Sequence, residues 1–209
     1  MSRAFLFPGQ GSQQTGMGEI LFSKFPEIVA EADEILGYSL SDLCLNPENS
    51  EKLGHTQFTQ PALYVISSLQ AMNELDGGGT PPMLLAGHSV GEYAALGTAK
   101  AFSFSDGLKL VAKRGEIMAK VSGGGMAAVI GLEPSRIKEV LAEIDADDVD
   151  LANFNSPGQT VLSGPSASME PLGGPMKDAG AKMFVPLKVS GAFHSRMMEE
   201  PAREFTTFL

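Results

Sequence analysis

The 209-residue chain has 43% hydrophobic residues, 19% charged residues and a formal net charge of −10. This composition is typical of a globular protein, and the acidity argues against a nucleic-acid partner, which requires basic patches. No apolar stretch is long enough to cross a membrane, and we expect no membrane partner. One cysteine, Cys44, and three histidines argue against a disulfide and a metal site, and favour a cytoplasmic location.

The first part of the chain alternates strand-like and helix-like segments, which predicts an α/β fold with a parallel sheet. Pro61 is expected in the first turn of its helix. The predicted elements are a strand at 4–7, a glycine loop at 8–18, helices near 20–36 and 61–75, a strand at 83–86, and helices at 92–96 and 105–121.

The second part has the order strand, helix, strand, strand, helix, strand, which predicts a ferredoxin-like subdomain. A turn at Ser156-Pro157-Gly158 joins the middle strands as a hairpin, and a helix-like tail covers 196–209. The predicted strands are 126–132, 149–155, 159–163 and 181–187, and the predicted helices are 134–144 and 165–179.

The segment Gly87-His88-Ser89-Val90-Gly91 has the G-x-S-x-G pattern between a predicted strand and a predicted helix. That context is the one a nucleophile elbow needs, with glycines permitting the sharp turn. Ser89 would stand at a helix N-terminus, where developing negative charge is stabilised. The alternative is an ordinary glycine-rich turn in which Ser89 is the N-cap of the helix.

A serine nucleophile needs a base, and the chain offers three histidines. His194 is the preferred base, because it follows the second region, where a distant segment would deliver a partner. His88 is a poor base next to Ser89 and is expected to pack under the elbow, and His55 lies in a predicted polar loop. No acid has an obvious triad role, and 145–150 is expected to be a solvated acidic loop, so we expect a Ser89–His194 dyad.

Two further features could complete such a site. The backbone N–H of Val90 and an N–H from the loop Pro8–Gln13 could form an oxyanion hole, although that loop could equally be a phosphate cradle or a plain turn. Arg114 lies on an amphipathic helix beside Lys113. It is either a solvated helix residue or, if it faces the site, a partner for a substrate carboxylate.

Seven blocks in order strongly resemble malonyl-CoA:acyl-carrier-protein transacylases and the acyltransferases of polyketide synthases. The resemblance covers essentially the whole chain and is greatest to discrete, trans-acting polyketide acyltransferases, although fatty-acid and polyketide pathways both stay open. The blocks are Phe7–Gln13, Thr59–Ala62, Gly87–Tyr93, Arg114-Gly115, Gly125–Val129, Asn153–Gln159 and Gly191–Ser195.

The resemblance implies a ping-pong mechanism with a malonyl-Ser89 ester, His194 as base, and the N–H groups of Gln10 and Val90 as the oxyanion hole. Malonyl-CoA is the donor, a phosphopantetheinylated acyl carrier protein is the acceptor, and no cofactor is implied. Phe193 would crowd an α-methyl group and favour malonyl over methylmalonyl. The residues assigned to substrate binding are Arg114, Phe193, Gln60, Asn155 and His88.

The implied fold is a hydrolase-like parallel-sheet subdomain at 1–124 and 188–209, and a ferredoxin-like subdomain at 125–187. Family members continue further, so we expect a chain ending at Leu209 to lack sheet elements and a glutamine-bearing segment beside His194. Two rival functions are a thioester hydrolase on the same scaffold and an inactive fragment. Carrier docking would need a basic patch, with candidates Lys113, Lys182, Lys188 and Arg196.

Overall fold

The computed structural model of the protein describes residues 2–78, 80–189 and 191–209. These divide into two compact units, Met1–Glu116 and Ile117–Leu209. The predicted α/β class is confirmed, since one sheet is parallel and the other antiparallel. By its contacts 188–209 falls in the second unit, and its assignment to the large subdomain stays a prediction. Within the described ranges, no helix has the length and apolarity to span a membrane.

The first unit contains a parallel pair of strands, β1 (Ala4–Phe7) and β2 (Leu84–Gly87). Phe7 lies opposite Gly87, so the loops that follow the two strands leave the sheet at the same edge. Its helices are α1 (Glu19–Lys24), α2 (Pro26–Leu36), α3 (Leu40–Leu45), α4 (Ser50–Gly54), α5 (Thr56–Asp76), α6 (Gly91–Thr98) and α7 (Phe104–Ala119), which runs into the second unit.

The central helix of the first unit, α5, differs from its prediction. It begins at Thr56, and Pro61 lies inside the helix, so the placement of Pro61 in the first turn is wrong. Burial explains this, because Gln60, Pro61 and most of their neighbours up to Ala71 are packed in the core, which outweighs the cost of about 3 kcal/mol for a proline inside a helix. His55 is the extended N-cap of α5 and not part of a longer polar loop.

The second unit has a four-stranded antiparallel sheet in the order β4-β5-β3-β6. This order confirms the ferredoxin-like prediction, including the β4–β5 hairpin. The strands are β3 (Gly124–Ile130), β4 (Asp150–Ser156), β5 (Gln159–Pro165) and β6 (Met183–Pro186).

The helices of the second unit are shorter than predicted. α8 spans Pro134–Glu143, but the predicted helix at 165–179 is divided by a 3-10 turn at Glu170–Leu172. The remaining helices are α9 (Ser166–Met169), α10 (Gly173–Asp178) and, after a 3-10 turn at Arg196–Met198, α11 (Glu199–Thr206).

Each unit has its own apolar core. In the first unit, α5 supplies much of the core, including Tyr64, Val65 and Leu69. In the second unit, Ile137 and Val140 of α8 pack on one face of the sheet, whereas a separate cluster holds the ring of Phe193. That second cluster consists of Met118, Met126, Ala128, Val161 and Phe193.

Candidate active site

The turn between β2 and α6 has the geometry of a nucleophile elbow. Ser89 has φ of 52°, a left-handed conformation that residues with a side chain rarely adopt. A Cβ on Gly87 would lie 2.1 Å from the backbone N of Glu92, and one on Gly91 would lie 2.2 Å from the carbonyl O of Phe7. Only glycine fits at both positions, so the spacing of the motif is a steric requirement of this turn.

Backbone hydrogen bonds hold the elbow closed. The N–H of His88 donates to the carbonyl of Phe7 at 2.9 Å, and the N–H of Gly91 donates to the carbonyl of His88 at 2.9 Å. The N-cap of α6 is Val90, and among the described residues no side chain caps this helix. The alternative in which Ser89 is an ordinary N-cap is therefore wrong.

The loop after β1 lies directly against this turn. A Cβ on Gly9 would lie 2.5 Å from Nδ1 of His88, so the exposed His88 ring rests on the loop and does not pack beneath the elbow as expected. Gln10 is fixed by its side chain, whose Nε2 donates to Oγ1 of Thr56 at 3.1 Å. Neither the N–H of Gln10 nor that of Val90 donates a hydrogen bond to another described residue.

The guanidinium of Arg114 lies beside the serine. Its Nη1 donates to Oε1 of Gln60 at 2.5 Å, its Nη2 donates to Oγ of Ser89 at 3.1 Å, and its carbon lies 5.8 Å from the ring centre of Tyr93. Burial lowers the pKa of Arg114, and Tyr93 and Glu92 partly offset this. In the described part of the chain, no carboxylate forms an ion pair with Arg114, so a desolvated cation is held by neutral partners.

Close packing of α7 on α5 sets the position of Arg114. A Cβ on Gly115 would lie 3.2 Å from the carbonyl O of Thr56, so the residue next to Arg114 touches the start of α5. Gly107, two turns earlier, similarly leaves room for the hydroxyl of Tyr64. The two helices thus bring Arg114 to Gln60, which is 1% exposed, and to Ser89.

His194 lies in the second unit, in a turn with an unusual backbone. Its φ is 58°, and it is exposed, whereas Ala192 and Phe193 before it are buried. The hydroxyl of Ser195 donates to the carbonyl of Ala192 at 2.7 Å and accepts from the N–H of Met197 at 3.2 Å. His194 also lines a cleft of about 590 Å³ within this unit.

Sequence reasoning missed the partner of this turn. Asp150 begins β4, within the predicted strand 149–155, but the expectation that its carboxylate is solvated is wrong, because it accepts from the side chain and the backbone N–H of Arg196. The pairing joins residues 46 apart, so no local pattern reveals it. Asn155, also on β4, is exposed, and Phe193 is 5% exposed in the core. The binding roles of Asn155 and Phe193 stay predictions.

The chain matches the acyl transferase domain family over residues 4–207. It is 51% identical over 207 residues to the polyketide biosynthesis protein ThaF of Burkholderia thailandensis, covering 99% of this chain and 18% of ThaF. It is 49% identical to the polyketide biosynthesis malonyl CoA-acyl carrier protein transacylase PksC of Bacillus subtilis, covering 98% of this chain and 71% of PksC.

Solved structures give the same picture of the fold. A malonyl CoA-acyl carrier protein transacylase from Burkholderia pseudomallei has a TM-score of 0.95 and 42% identity, covering 100% of this chain and 71% of that one. A malonyl-transacylase in complex with its type II polyketide synthase acyl-carrier protein has a TM-score of 0.92 and 38% identity, covering 100% and 69%. The chain therefore spans about 70% of these proteins but only a minor part of ThaF.

Proposed function

The chain belongs to the acyl transferase domain family, and we propose that it transfers a malonyl group from malonyl-CoA to the phosphopantetheine thiol of an acyl carrier protein. One observation carries this proposal: Nη2 of Arg114 lies 3.1 Å from Oγ of Ser89, and its other partners are neutral. In a malonyl thioester the free carboxylate is only two bonds from the attacked carbonyl carbon. A cation beside the nucleophile therefore suits this short acidic acyl group.

The reaction that we propose has two half-reactions. Oγ of Ser89 attacks the thioester carbonyl while His194 accepts its proton, and the N–H groups of Gln10 and Val90 stabilise the oxyanion. The C–S bond then breaks, CoA leaves with the proton from His194, and a malonyl-Ser89 ester remains. The carrier thiol gives its proton to His194 and attacks the ester carbonyl. The bond between the acyl carbon and Oγ of Ser89 then breaks, and Oγ takes the proton back from His194.

The remaining predicted residues have supporting roles in this proposal. Gln60 orients the guanidinium of Arg114 through the 2.5 Å hydrogen bond. We expect Phe193 and Val90 to limit room for an α-methyl group, and Asn155 and His88 to lie along the bound thioester. Because one methylene changes binding by about 1–3 kcal/mol, exclusion of methylmalonyl-CoA would be partial.

The names of the relatives support the choice of acceptor and pathway. PksC is a polyketide biosynthesis malonyl CoA-acyl carrier protein transacylase, and a transacylase with 38% identity has been solved with a carrier protein. Hydrolysis by water is the rival fate of the acyl-enzyme. The position of Arg114 argues against it, since a carboxylate partner has little use in a general thioester hydrolase.

The test is the intact mass of the protein after mixing with malonyl-CoA. We expect an adduct of one malonyl group that is absent in Ser89→Ala and that disappears when phosphopantetheinylated carrier protein is added, with malonyl appearing on the carrier. Release of free malonate without transfer would favour the hydrolase. A folded protein that forms no adduct would contradict the proposal.

A further inference from the structure

The turn that carries His194 is strained, and its conformation has to be held from outside. A left-handed φ is unfavourable for a residue with a side chain, and such residues persist where their surroundings fix both flanks. The flank before His194 is fixed by burial, because Ala192 is fully buried and Phe193 is 5% exposed. After His194, the hydroxyl of Ser195 holds the turn locally, and the exposed Arg196 that follows takes a further anchor from another element.

Asp150 supplies that anchor. Its Oδ2 accepts from the backbone N–H of Arg196 at 2.8 Å, its Oδ1 accepts from Nη2 at 2.7 Å, and Nε of Arg196 lies 3.2 and 3.1 Å from Oδ1 and Oδ2. One carboxylate thus fixes both the main chain and the side chain two residues after His194. The hydrogen bonds from Arg196 also lower the pKa of the Asp150 carboxyl.

The carboxylate itself is held on a rigid element. Asp150 is the first residue of β4 and pairs with Ser163 of β5, which is fully buried in the sheet. The side chain of Asp150 is 24% exposed and that of Arg196 is 54% exposed. Most exposed ion pairs contribute little to stability, but bidentate geometry combined with a backbone hydrogen bond is the arrangement in which such a pair fixes a conformation.

From this geometry we propose that Asp150 is a positioning residue: through Arg196 it holds the backbone of His194 in its left-handed conformation and so fixes the orientation of the imidazole. This rests on the proposed role of His194 as the base. Asp150 does not touch substrate or reacting atoms, and its effect is on the orientation of the base. We call the hydrogen-bonded pair of Asp150 and Arg196 the clamp. Its loss would let the backbone of His194 relax toward negative φ and move the imidazole.

The decisive variants are Asp150→Asn and Arg196→Gln, each of which removes the ion pair with little change in size. We expect the maximal rate of Ser89 acylation by malonyl-CoA to fall about 10- to 100-fold, since small misplacements of a catalytic group have effects of this order. The half-saturating malonyl-CoA concentration should stay near the wild-type value. The double variant should be no slower than the slower single variant, because both remove the same clamp.

Arg136→Gln is the matched control. Arg136 lies on α8 of the same unit and forms exposed ion pairs with Glu139 at 3.0 Å and Glu143 at 2.8 Å. Its loss should leave acylation unchanged. Wild-type acylation rates in Asp150→Asn, or an equal loss in Arg136→Gln, would overturn the proposal.

A second measurement separates this inference from the proposed function. Imidazole ¹H–¹⁵N spectra of the three histidines, assigned by single replacement, report on the ring without substrate. We expect only the His194 signals to shift or broaden in Asp150→Asn, with those of His55 and His88 unchanged. Unchanged His194 signals would refute the clamp even if the enzyme is active, whereas an inactive wild type with shifted signals would refute only the proposed reaction.

Discussion

At the residue scale, we expect Arg114 to determine which acyl group the proposed site prefers. Its guanidinium is partly buried, and its hydrogen bonds go to the neutral side chains of Gln60 and Ser89. A hydrogen bond to a charged group contributes about 1.5–3 kcal/mol. A malonyl carboxylate would gain this term, whereas an acetyl group would gain nothing.

We therefore predict that Arg114→Ala lowers acylation of Ser89 by malonyl-CoA about 10- to 100-fold and leaves acylation by acetyl-CoA unchanged or faster. Rapid-quench mass spectrometry measures both rates. Lys109→Ala, an exposed residue on the same helix, is the control and should keep the wild-type ratio. If Arg114→Ala loses both activities equally, the guanidinium has no selective role.

The backbone of Ser89 leads to a prediction on stability. Its φ of 52° costs a side-chain-bearing residue about 1–2 kcal/mol, whereas glycine adopts it freely at an entropic cost of about 0.4–1 kcal/mol in the unfolded chain. Both Ser89→Gly and Ser89→Ala remove the hydroxyl of the proposed nucleophile. We predict that the glycine variant is more stable by about 0.5–1 kcal/mol in urea unfolding. An alanine variant that equals or exceeds it would show that the turn is unstrained.

Asp150 predicts a pH dependence of stability. Arg196 lowers the pKa of this carboxyl below its usual 3.8, so the folded state binds the proton more weakly than the unfolded chain does. The resulting stabilisation is fully present above the unfolded pKa and is lost as pH falls through the folded pKa. The difference in unfolding free energy between wild type and Asp150→Asn should be constant near neutral pH and shrink below about pH 4. A difference that grows on acidification would contradict this assignment.

At the element scale, the strand–turn–helix unit around Ser89 depends on close contact between the backbone at Gly91 and the backbone of β1. A Cβ on Gly91 would lie 2.2 Å from the carbonyl O of Phe7 in β1, and backbone atoms cannot move aside as a flexible side chain can. We predict that Gly91→Ala destabilises the protein by about 3 kcal/mol or more in urea unfolding.

Gly54 at the end of α4 is the control for this prediction. In the part of the chain that the structure describes, no atom lies within 4 Å of a Cβ added at Gly54, and glycine is a poor helix residue. Gly54→Ala should therefore change stability by less than about 1 kcal/mol. Equal effects of the two replacements would mean that the close approach at the elbow is not what selects glycine.

The elements that sequence predicted best are those with strong periodicity and clear breakers. The strand at Ala4–Phe7 was predicted to the residue, and the ferredoxin-like order followed from the alternation around Ser156-Pro157-Gly158. Short helices were missed, because α3 and α4 gain their stability from burial of residues such as Leu43 and Leu53 and not from local pattern. The early start of α5 has the same cause.

In the candidate site too, features with a local sequence pattern were predicted, and contacts between distant residues were not. The elbow around Ser89 was predictable because its tight turn requires glycine at positions 87 and 91, and this requirement is visible in the sequence as the G-x-S-x-G motif. The clamp between Asp150 and Arg196 was not, since it depends on which residues the sheet of the second unit brings together. Gln60 and Arg114 could be assigned only through the family resemblance, and their hydrogen bond comes from the contact of α5 and α7.

At the scale of the whole molecule, the net charge of −10 would oppose the proposed docking of a carrier protein that is itself acidic. Such docking would depend on a few exposed cations. Two of the four candidates already have carboxylate partners: Lys113 pairs with Glu116 at 3.1 Å and Arg196 pairs with Asp150 at 2.7 Å. Lys182 and Lys188 are exposed, and they remain the stronger candidates for contact with a carrier.

We predict that Lys188→Glu lowers kcat/KM for the carrier protein several-fold and leaves the acylation of Ser89 unchanged, because steering by exposed charge acts on association. Lys177→Glu makes the same change in net charge at an exposed position on α10, and it should have little effect. Transfer by the wild type should slow as salt rises from 0.05 to about 0.5 M, and Lys188→Glu should flatten that dependence, since screening acts on the same charge. Equal losses of kcat/KM in both variants would mean that the net charge of the protein matters and not the position of Lys188. A transfer rate that does not depend on salt would contradict electrostatic docking.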